Sequence, residues 1–188
     1  NLSVSIILYF LFWCAYFVVH SLLASEQVKK LLGKPTWYRL FYTAMAIILL
    51  IPILGFHISI GAKQFFEPTL GAKIPALALG YTAYVFLKQA FGIYSLKAFV
   101  GFGEEHQELR TDGILARVRH PLYTATILLA IGFWLWSPTD LNLAMILSWF
   151  IYLPIGIWLE EKKLVKQYGQ LYLDYWEKVP AVLPKIGK

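Results

Sequence analysis

The feature that most constrains this chain is a series of long apolar stretches separated by polar segments. The hydrocarbon core of a bilayer is about 30 Å thick, so a helix needs roughly 20 apolar residues to cross it. Five stretches are predicted as membrane helices, the fourth of them short: 2–24, 37–58, 74–94, 122–137 and 141–159. The sequence therefore predicts an all-α integral membrane protein. Pro138 and Asp140 predict a tight turn between the last two helices, which should form a helical hairpin.

The composition agrees with residence in a membrane. Hydrophobic residues make up 59% of the 188 residues and charged residues only 15%, outside the usual range for soluble domains. We predict a single transmembrane domain over residues 1–188, with three spans in 1–96 and two further spans, a polar loop and a tail in 97–188. The first stretch has no basic opening and is as long as a full span, so we interpret it as a retained helix and not a cleaved signal.

The positive charge is distributed as membrane topology requires. The net charge is +6, but the basic residues lie between apolar stretches and do not cluster on a polar surface, which argues against a nucleic-acid partner. Most of the 17 Lys and Arg residues lie before the second span, after the third span and in the tail. Because cytoplasmic loops carry the excess of Lys and Arg, this distribution predicts an external N-terminus and a cytoplasmic C-terminus.

A polar segment at residues 97–120 precedes the fourth predicted span. It contains Gly101, Gly103 and Gly113, which allow a ligand to approach the main chain, but not the glycine pattern of a phosphate loop or dinucleotide fingerprint. Glu104, Glu105 and His106 offer oxygen and nitrogen atoms, yet carboxylates and one histidine on a loop are more often simply solvated. We expect no metal site.

Basic residues end this polar segment, at the start of the fourth predicted span. Arg117, Arg119 and His120 stand immediately before Pro121, a residue favoured in the first turn of a helix. One interpretation is a positive anchor at the lipid headgroups. The other is a binding site, in which His120 and the free amides of the helix start receive a carboxylate or phosphate and Tyr123 lies on roughly the same helical face.

Two adjacent carboxylates, Glu160 and Glu161, follow the fifth apolar stretch. They are exposed partners of the lysines after them, or one of them faces the interior, because neighbouring residues on a helix point about 100° apart. The tail predicts a helix stop at Gly169 and then a second short helix, whose aromatic residues suit the membrane interface.

Four features together carry a resemblance: the segment from Gln107 to Tyr123, the predicted hairpin, Glu160-Glu161 and the tail Tyr-Gly-x-x-Tyr-x-x-Tyr-x-x-x-Val-Pro. They resemble the isoprenylcysteine carboxyl methyltransferase family and its phospholipid methyltransferase relatives. The resemblance covers roughly the C-terminal half. It implies a cytoplasmic site that binds S-adenosylmethionine and releases S-adenosylhomocysteine. The implied cofactor-binding residues are Gln107, Glu108, Leu109, Arg110, Leu115, His120, Pro121, Leu122, Tyr123 and Glu160.

The resemblance also implies O-methylation of the carboxylate of a prenylated cysteine or a similar lipophilic acceptor. An ionised carboxylate needs no general base, so no catalytic residue is assigned; Arg110, Arg117 and Arg119 are candidates for orienting the acceptor. This sequence has Gln107, Leu115 and Gly156 where members acting on prenylated tails often have histidine, tyrosine and a substrate-handling arginine. A lipid amine and a small carboxylate therefore stay open as acceptors.

Two other functions are consistent with the same pattern. Small membrane sterol reductases resemble this architecture and would bind a reduced nicotinamide cofactor. A non-catalytic transporter or assembly protein would use the basic residues as anchors and the glutamates as surface pairs. Membrane lipid is the expected surrounding in every case, and no obligate protein partner is indicated.

Overall fold

The computed structural model describes residues 2–33, 37–94 and 108–185, with the side chains of residues 2 and 3 left aside. Within these ranges every regular element is a helix, and an isolated antiparallel bridge pairs Gln64 with Thr139. The elements are α1 (Leu2–Ala24), α2 (Glu26–Leu31), α3 (Tyr38–Ser59), α4 (Leu70–Ile93), a 3-10 helix (Gly113–Ala116), α5 (Pro121–Trp136), α6 (Asp140–Tyr168) and α7 (Gln170–Lys178). Gly169 ends α6 as predicted, with a φ of 58° that favours a residue without a side chain.

Four of the described helices, α1, α3, α4 and α6, are long and apolar enough to cross a membrane. The predicted all-α membrane architecture agrees with this finding. Helix α5 has 16 residues and is therefore about 24 Å long, shorter than the roughly 30 Å of a hydrocarbon core. The count of five spans therefore stays a prediction. Helix α6 continues as a helix beyond the predicted end of its apolar span and reaches Tyr168.

An aromatic face of α1 packs between α3 and α6. Tyr9 and Trp13 are buried, and Trp13 meets Trp149 of α6 with ring centroids 5.4 Å apart. One helical turn further on, Phe17 stacks on Tyr152 of α6 at 4.2 Å. The hydroxyl of Tyr9 lies 2.9 Å from Nδ1 of His57 in α3. Aromatic packing and hydrogen bonds between helices thus fix α1 in place.

Small residues bring α4 and α5 close together. Ala76, Ala83 and Ala90 are buried on α4, and their spacing of seven residues places them along one face of the helix. On α5, a Cβ added to Gly132 would lie only 3.0 Å from the carbonyl oxygen of Ala76. Small residues that let backbones approach are typical of helix pairs in membranes. Helix α5 packs more extensively on α4 than on α6, and the tight α5–α6 hairpin stays a prediction.

Hydrogen bonds join the segment after α3 to the short connection between α5 and α6. The amide of Lys63 donates to Oδ1 of Asp140 at 2.9 Å, and the amide of Asp140 donates to the carbonyl of Lys63 at 3.0 Å. The amide of Phe65 donates to the carbonyl of Pro138. These bonds hold one end of the bundle together. The candidate site is formed by the opposite ends of α5 and α6.

Candidate functional site

The 3-10 helix places the basic junction beside the end of α4. Ile114, Leu115 and Val118 are buried and pack against Ile93 and Tyr94. The carbonyl of Leu115 accepts a hydrogen bond of 2.6 Å from the hydroxyl of Tyr175 in α7. Leu115, predicted as a cofactor-binding residue, therefore lies in an apolar cluster in the described structure.

Arg119 is the centre of a buried ion pair that joins the segment before α5 to α6. Its side chain is 6% exposed and that of Glu161 is 18% exposed. Nε and Nη2 donate to Oε1 of Glu161 at 2.9 Å and 2.5 Å, and Nη1 donates to the carbonyls of Trp176 and Val179. We call this arrangement the Arg119 clamp. Glu161 is thus not a surface partner of the following lysines, because it bonds an arginine of another segment.

The main chain of the tail continues the clamp. The amides of Arg119 and His120 donate to the carbonyls of Pro180 and Ala181, both at 2.9 Å, and Oγ1 of Thr124 donates to the carbonyl of Val182 at 2.7 Å. Three successive tail carbonyls are therefore paired with the start of α5. Burying a charge is tolerable only where it is well paired, and this set of partners meets that condition for Arg119.

His120 joins the two glutamates. Its side chain is 2% exposed, with Nε2 3.1 Å from Oε1 of Glu161 and Nδ1 3.7 Å from Oε2 of Glu160. The junction before α5 and the carboxylate pair on α6 therefore meet. The pair is divided: Glu161 belongs to the Arg119 clamp, whereas the side chain of Glu160 is 45% exposed and can meet a ligand.

Tyr123 completes this group. Its ring lies edge-on to His120 at 5.6 Å, and its hydroxyl interacts with the carboxylate of Glu160. A Cβ added to Gly156 would lie 3.1 Å from that hydroxyl and 3.2 Å from Cε1 of Tyr152. The missing side chain at Gly156 therefore lets Tyr123 approach α6. His120, Tyr123 and Glu160 form what we call the Glu160 site.

The other residues predicted for the site are less closely associated with the Glu160 site. Pro121 begins α5 as predicted, with Leu122 half-buried beside it. Arg110 binds the carboxylate of Asp112 at 2.8 Å, and this guanidinium lowers the pKa of Asp112. Glu108 and Arg117 are exposed and Leu109 is half-buried. Gln107, like Glu104, Glu105 and His106, lies outside the described residues.

A second polar group, missed in the sequence analysis, lies where α1, α3 and α6 meet. The hydroxyl of Tyr42 is 2.6 Å from Nε2 of His20, and Oγ of Ser21 is 2.8 Å from the hydroxyl of Tyr152. We call these four residues the hydroxyl cluster. Because Ser21 follows His20 directly in α1, these two hydrogen bonds lie side by side. The sequence signal for this part of the structure was the spacing of Tyr152, Gly156 and Glu160 at intervals of four residues. This spacing places all three residues on one face of a helix.

A shallow groove of about 160 Å³ runs outside the clamp, between the end of α6 and α7. Its lining residues are Trp158, Glu161, Lys162, Val165, Tyr172 and Trp176. The hydroxyl of Tyr172 is buried here and makes no hydrogen bond within the described ranges. Burial raises the pKa of Tyr172; the charge of Glu161 raises it further, and Arg119 opposes the effect.

Comparisons with known proteins point to one family. The family model described as phospholipid methyltransferase matches residues 72–171. A methanethiol S-methyltransferase of Crocosphaera subtropica is 30% identical over 185 residues, which cover 90% of this chain and 71% of that protein. A methanethiol S-methyltransferase 2 of Bradyrhizobium diazoefficiens is 33% identical over 51% of this chain and 38% of its own length.

A relative with a different named acceptor is also similar. The protein-S-isoprenylcysteine O-methyltransferase of Schizosaccharomyces pombe is 27% identical over 172 residues, or 78% of this chain and 67% of that protein. No solved structure matches the chain.

Proposed function

Because the chain belongs to the phospholipid methyltransferase family, we propose that it is an integral membrane enzyme that transfers a methyl group from S-adenosylmethionine to a small, lipid-soluble thiol. The observation that carries this proposal is the meeting of His120 with Glu160 at the end of an apolar helix, beside the hydroxyl of Tyr123. A carboxylate with exposed surface at this position suits a cationic ligand, and the donor carries an ammonium and a sulfonium.

Within this proposal the donor supplies an electrophilic methyl group on its sulfonium. Glu160 holds the donor's ammonium by a charge-assisted hydrogen bond, and Tyr123 orients the Glu160 carboxylate. The Arg119 clamp fixes the distance between α5 and α6, so the three residues of the Glu160 site are held in position before the ligand arrives. Positioning of two reactants contributes about 7–11 kcal/mol to such a reaction. Arg110 and Arg117 lie at the exposed end of the site, where we keep them as candidates for contacts with the incoming molecules.

The choice of a thiol acceptor rests on the Crocosphaera subtropica relative, which is matched over more of this chain than the Schizosaccharomyces pombe relative. The relative that covers 90% of this chain is named a methanethiol S-methyltransferase, as is a second one from Bradyrhizobium diazoefficiens. The acceptor implied by the sequence resemblance, a prenylated cysteine carboxylate, is the second candidate, supported by the Schizosaccharomyces pombe relative. Both acceptors are lipophilic and would reach the site from the membrane.

Calorimetry with S-adenosylhomocysteine tests the donor site. Glu160→Gln should weaken binding about 10- to 100-fold, because a hydrogen bond to a charged group contributes about 1.5–3 kcal/mol. Glu177→Gln, which changes an exposed carboxylate on α7, serves as the control and should bind as the unmodified protein does. Equal affinities for all three proteins would remove Glu160 from the site.

Transfer of labelled methyl groups tests the acceptor. The purified protein is supplied with labelled S-adenosylmethionine and, separately, with a short-chain alkyl thiol, a farnesylated cysteine and a phospholipid amine. We expect label in the thioether product. Label only in the ester or only in the lipid would replace the proposed acceptor. Binding of a reduced nicotinamide in place of the adenosyl ligand would select the reductase.

A further inference from the structure

We infer that Tyr42, supported by His20, accepts the proton of the thiol when it is methylated; this inference rests on the proposed function. A thiol is a poor nucleophile until it loses its proton, and thiols such as cysteine have a pKa of about 8.5. A thiol acceptor therefore needs a proton acceptor near pH 7, unlike a carboxylate. The hydroxyl of Tyr42 and Nε2 of His20 are 2.6 Å apart, which is a hydrogen-bonding distance for proton transfer.

The position of this pair supports the role. An ionisable residue within a membrane helix is costly and commonly functional, and His20 lies in the last two turns of α1. Ser21, the neighbour of His20, lies 2.8 Å from the hydroxyl of Tyr152. A Cβ added to Gly156 would meet both Cε1 of Tyr152, at 3.2 Å, and the hydroxyl of Tyr123, at 3.1 Å. Through Ser21 and Tyr152, the His20–Tyr42 pair therefore adjoins the Glu160 site. His120 is less suited to the task, because its nitrogens already face Glu161 and Glu160.

The proton and electron movements balance without another reactant. The thiol proton passes to the oxygen of Tyr42 while the phenolic proton of Tyr42 passes to Nε2 of His20, which becomes an imidazolium. A lone pair on the acceptor sulfur forms the new bond to the methyl carbon. The electron pair of the broken sulfonium–methyl bond stays on the donor sulfur, which becomes a neutral thioether. The imidazolium then returns its proton to water.

Other groups near the pair affect its protonation and must be considered together with it. Tyr16 stacks on His20 at 5.7 Å, and Arg39 lies near Tyr42 on α3. The titratable and charged groups that reach the pair from the helices around it are Tyr16, Arg39, Tyr123, Tyr152 and Glu160.

The molecule contains a matched control for a purely structural role. Tyr9 and His57 form the same kind of pair between the same two helices, with 2.9 Å between the Tyr9 hydroxyl and Nδ1. Tyr9 and His20 are separated by about 16 Å along α1, so the Tyr9–His57 pair lies far from the Glu160 site. If interhelical bonding were the only role of His20, both pairs would respond alike to mutation.

The experiment compares Tyr42→Phe and His20→Phe with Tyr9→Phe and His57→Phe on two acceptors. For a weakly acidic alkyl thiol, the first two variants should lose about 100-fold in kcat/KM, the lower end of general-base effects. For an aromatic thiol that is already ionised at pH 7, all four variants should stay close to the unmodified enzyme. The alkyl-thiol rate of Tyr42→Phe should also keep rising with pH up to the pKa of the thiol itself.

Readouts other than turnover separate the possible failures. Calorimetry with S-adenosylhomocysteine and thermal melting should show intact donor binding and folding in Tyr42→Phe. Equal losses on both thiols, or losses matched by Tyr9→Phe and His57→Phe, would overturn the proton-acceptor role and leave thiol methylation standing. If the unmodified enzyme methylates neither thiol, the proposed acceptor and this inference both fail.

Discussion

Arg119 and Glu161 are 42 positions apart in sequence and are joined through one oxygen atom. Oε1 of Glu161 accepts hydrogen bonds from Nε of Arg119 at 2.9 Å and from Nη2 of Arg119 at 2.5 Å. The same oxygen lies 3.1 Å from Nε2 of His120. One carboxylate oxygen therefore joins the junction before α5 to the C-terminal part of α6. The position of the neighbouring Glu160 relative to His120 depends on this arrangement.

Glu161→Ala should destabilise the protein strongly. Removing one partner of a buried ion pair costs about 3–5 kcal/mol, because the other charge is left unpaired. For a chain of this size, a loss of about 3 kcal/mol lowers the Tm by roughly 6–12 °C. Thermal melting in detergent measures this change.

Glu160→Ala is the matched control for the Arg119 clamp, because it removes the adjacent carboxylate, whose side chain is 45% exposed. It should leave the Tm within about 4 °C, since surface ion pairs contribute about 0–1 kcal/mol. Equal melting temperatures for the two variants would show that the clamp does not stabilise the fold.

Gly156→Ala should weaken donor binding without unfolding the protein. The added methyl group would lie 3.1 Å from the hydroxyl of Tyr123, so this hydroxyl must shift from its present position. We expect about tenfold weaker binding of S-adenosylhomocysteine, which corresponds to 1.4 kcal/mol. Gly55→Ala, where a Cβ would meet nothing within 4 Å, should bind normally. Unchanged affinity in Gly156→Ala would separate the Tyr123 hydroxyl from donor binding.

Much of the helical structure was predictable from the sequence because apolar length is a local property. The first stretch was predicted with the same bounds as α1, and Pro121 and Gly169 mark helix ends through their own backbone preferences. The apolar span was predicted to end at residue 159, whereas the helix continues through the charged residues to Tyr168 and ends at Gly169, where a helix stop was predicted.

The side-chain contacts of the site were harder to predict. The meeting of the junction with the carboxylate pair was expected from a resemblance, but the division of labour between Glu160 and Glu161 depends on the rotation of α6 against α5. The Arg119 clamp also needs the tail carbonyls from residues 176 to 182, and a main-chain acceptor has no sequence signature. Likewise, the His20–Tyr42 pair lies on two helices whose contact is a tertiary property.

Gly132→Leu should separate α4 from α5. Even a Cβ at this position would lie 3.0 Å from the carbonyl oxygen of Ala76 and 3.3 Å from Cβ of Leu79, so a larger side chain forces the helices apart. Overpacking of this kind costs about 1–3 kcal/mol.

Gly92→Ala on α4 provides the contrast to Gly132→Leu, because a Cβ at Gly92 meets nothing within 4 Å. It should stabilise the helix by up to about 1 kcal/mol. Thermal melting compares the two variants. A Gly132→Leu protein as stable as the unmodified one would contradict the close packing of α4 on α5.

The same substitution at two tyrosines of α7 should change the stability of the protein differently. Tyr175→Phe removes the hydrogen bond of 2.6 Å to the carbonyl of Leu115 and leaves a buried acceptor unpaired, at a cost of about 1–3 kcal/mol. Tyr172→Phe removes a buried hydroxyl that makes no hydrogen bond in the described part of the chain. Its stability should equal or exceed that of the unmodified protein. Melting curves at pH 8 measure both effects, and a larger loss for Tyr172→Phe than for Tyr175→Phe would contradict the assignment.

The pH dependence of stability follows from the same two residues. Burial raises the pKa of Tyr172 and of Tyr175 in the folded protein, whereas an unfolded tyrosine has a pKa of about 10. Above that pH the unfolded chain releases protons that the folded protein keeps, so stability is fully present below about pH 10 and falls as the pH rises. The Tm measured from pH 9 to pH 11 should therefore fall less steeply in Tyr172→Phe than in the unmodified protein. Parallel declines in the two proteins would show that Tyr172 ionises as readily in the folded state as in the unfolded one.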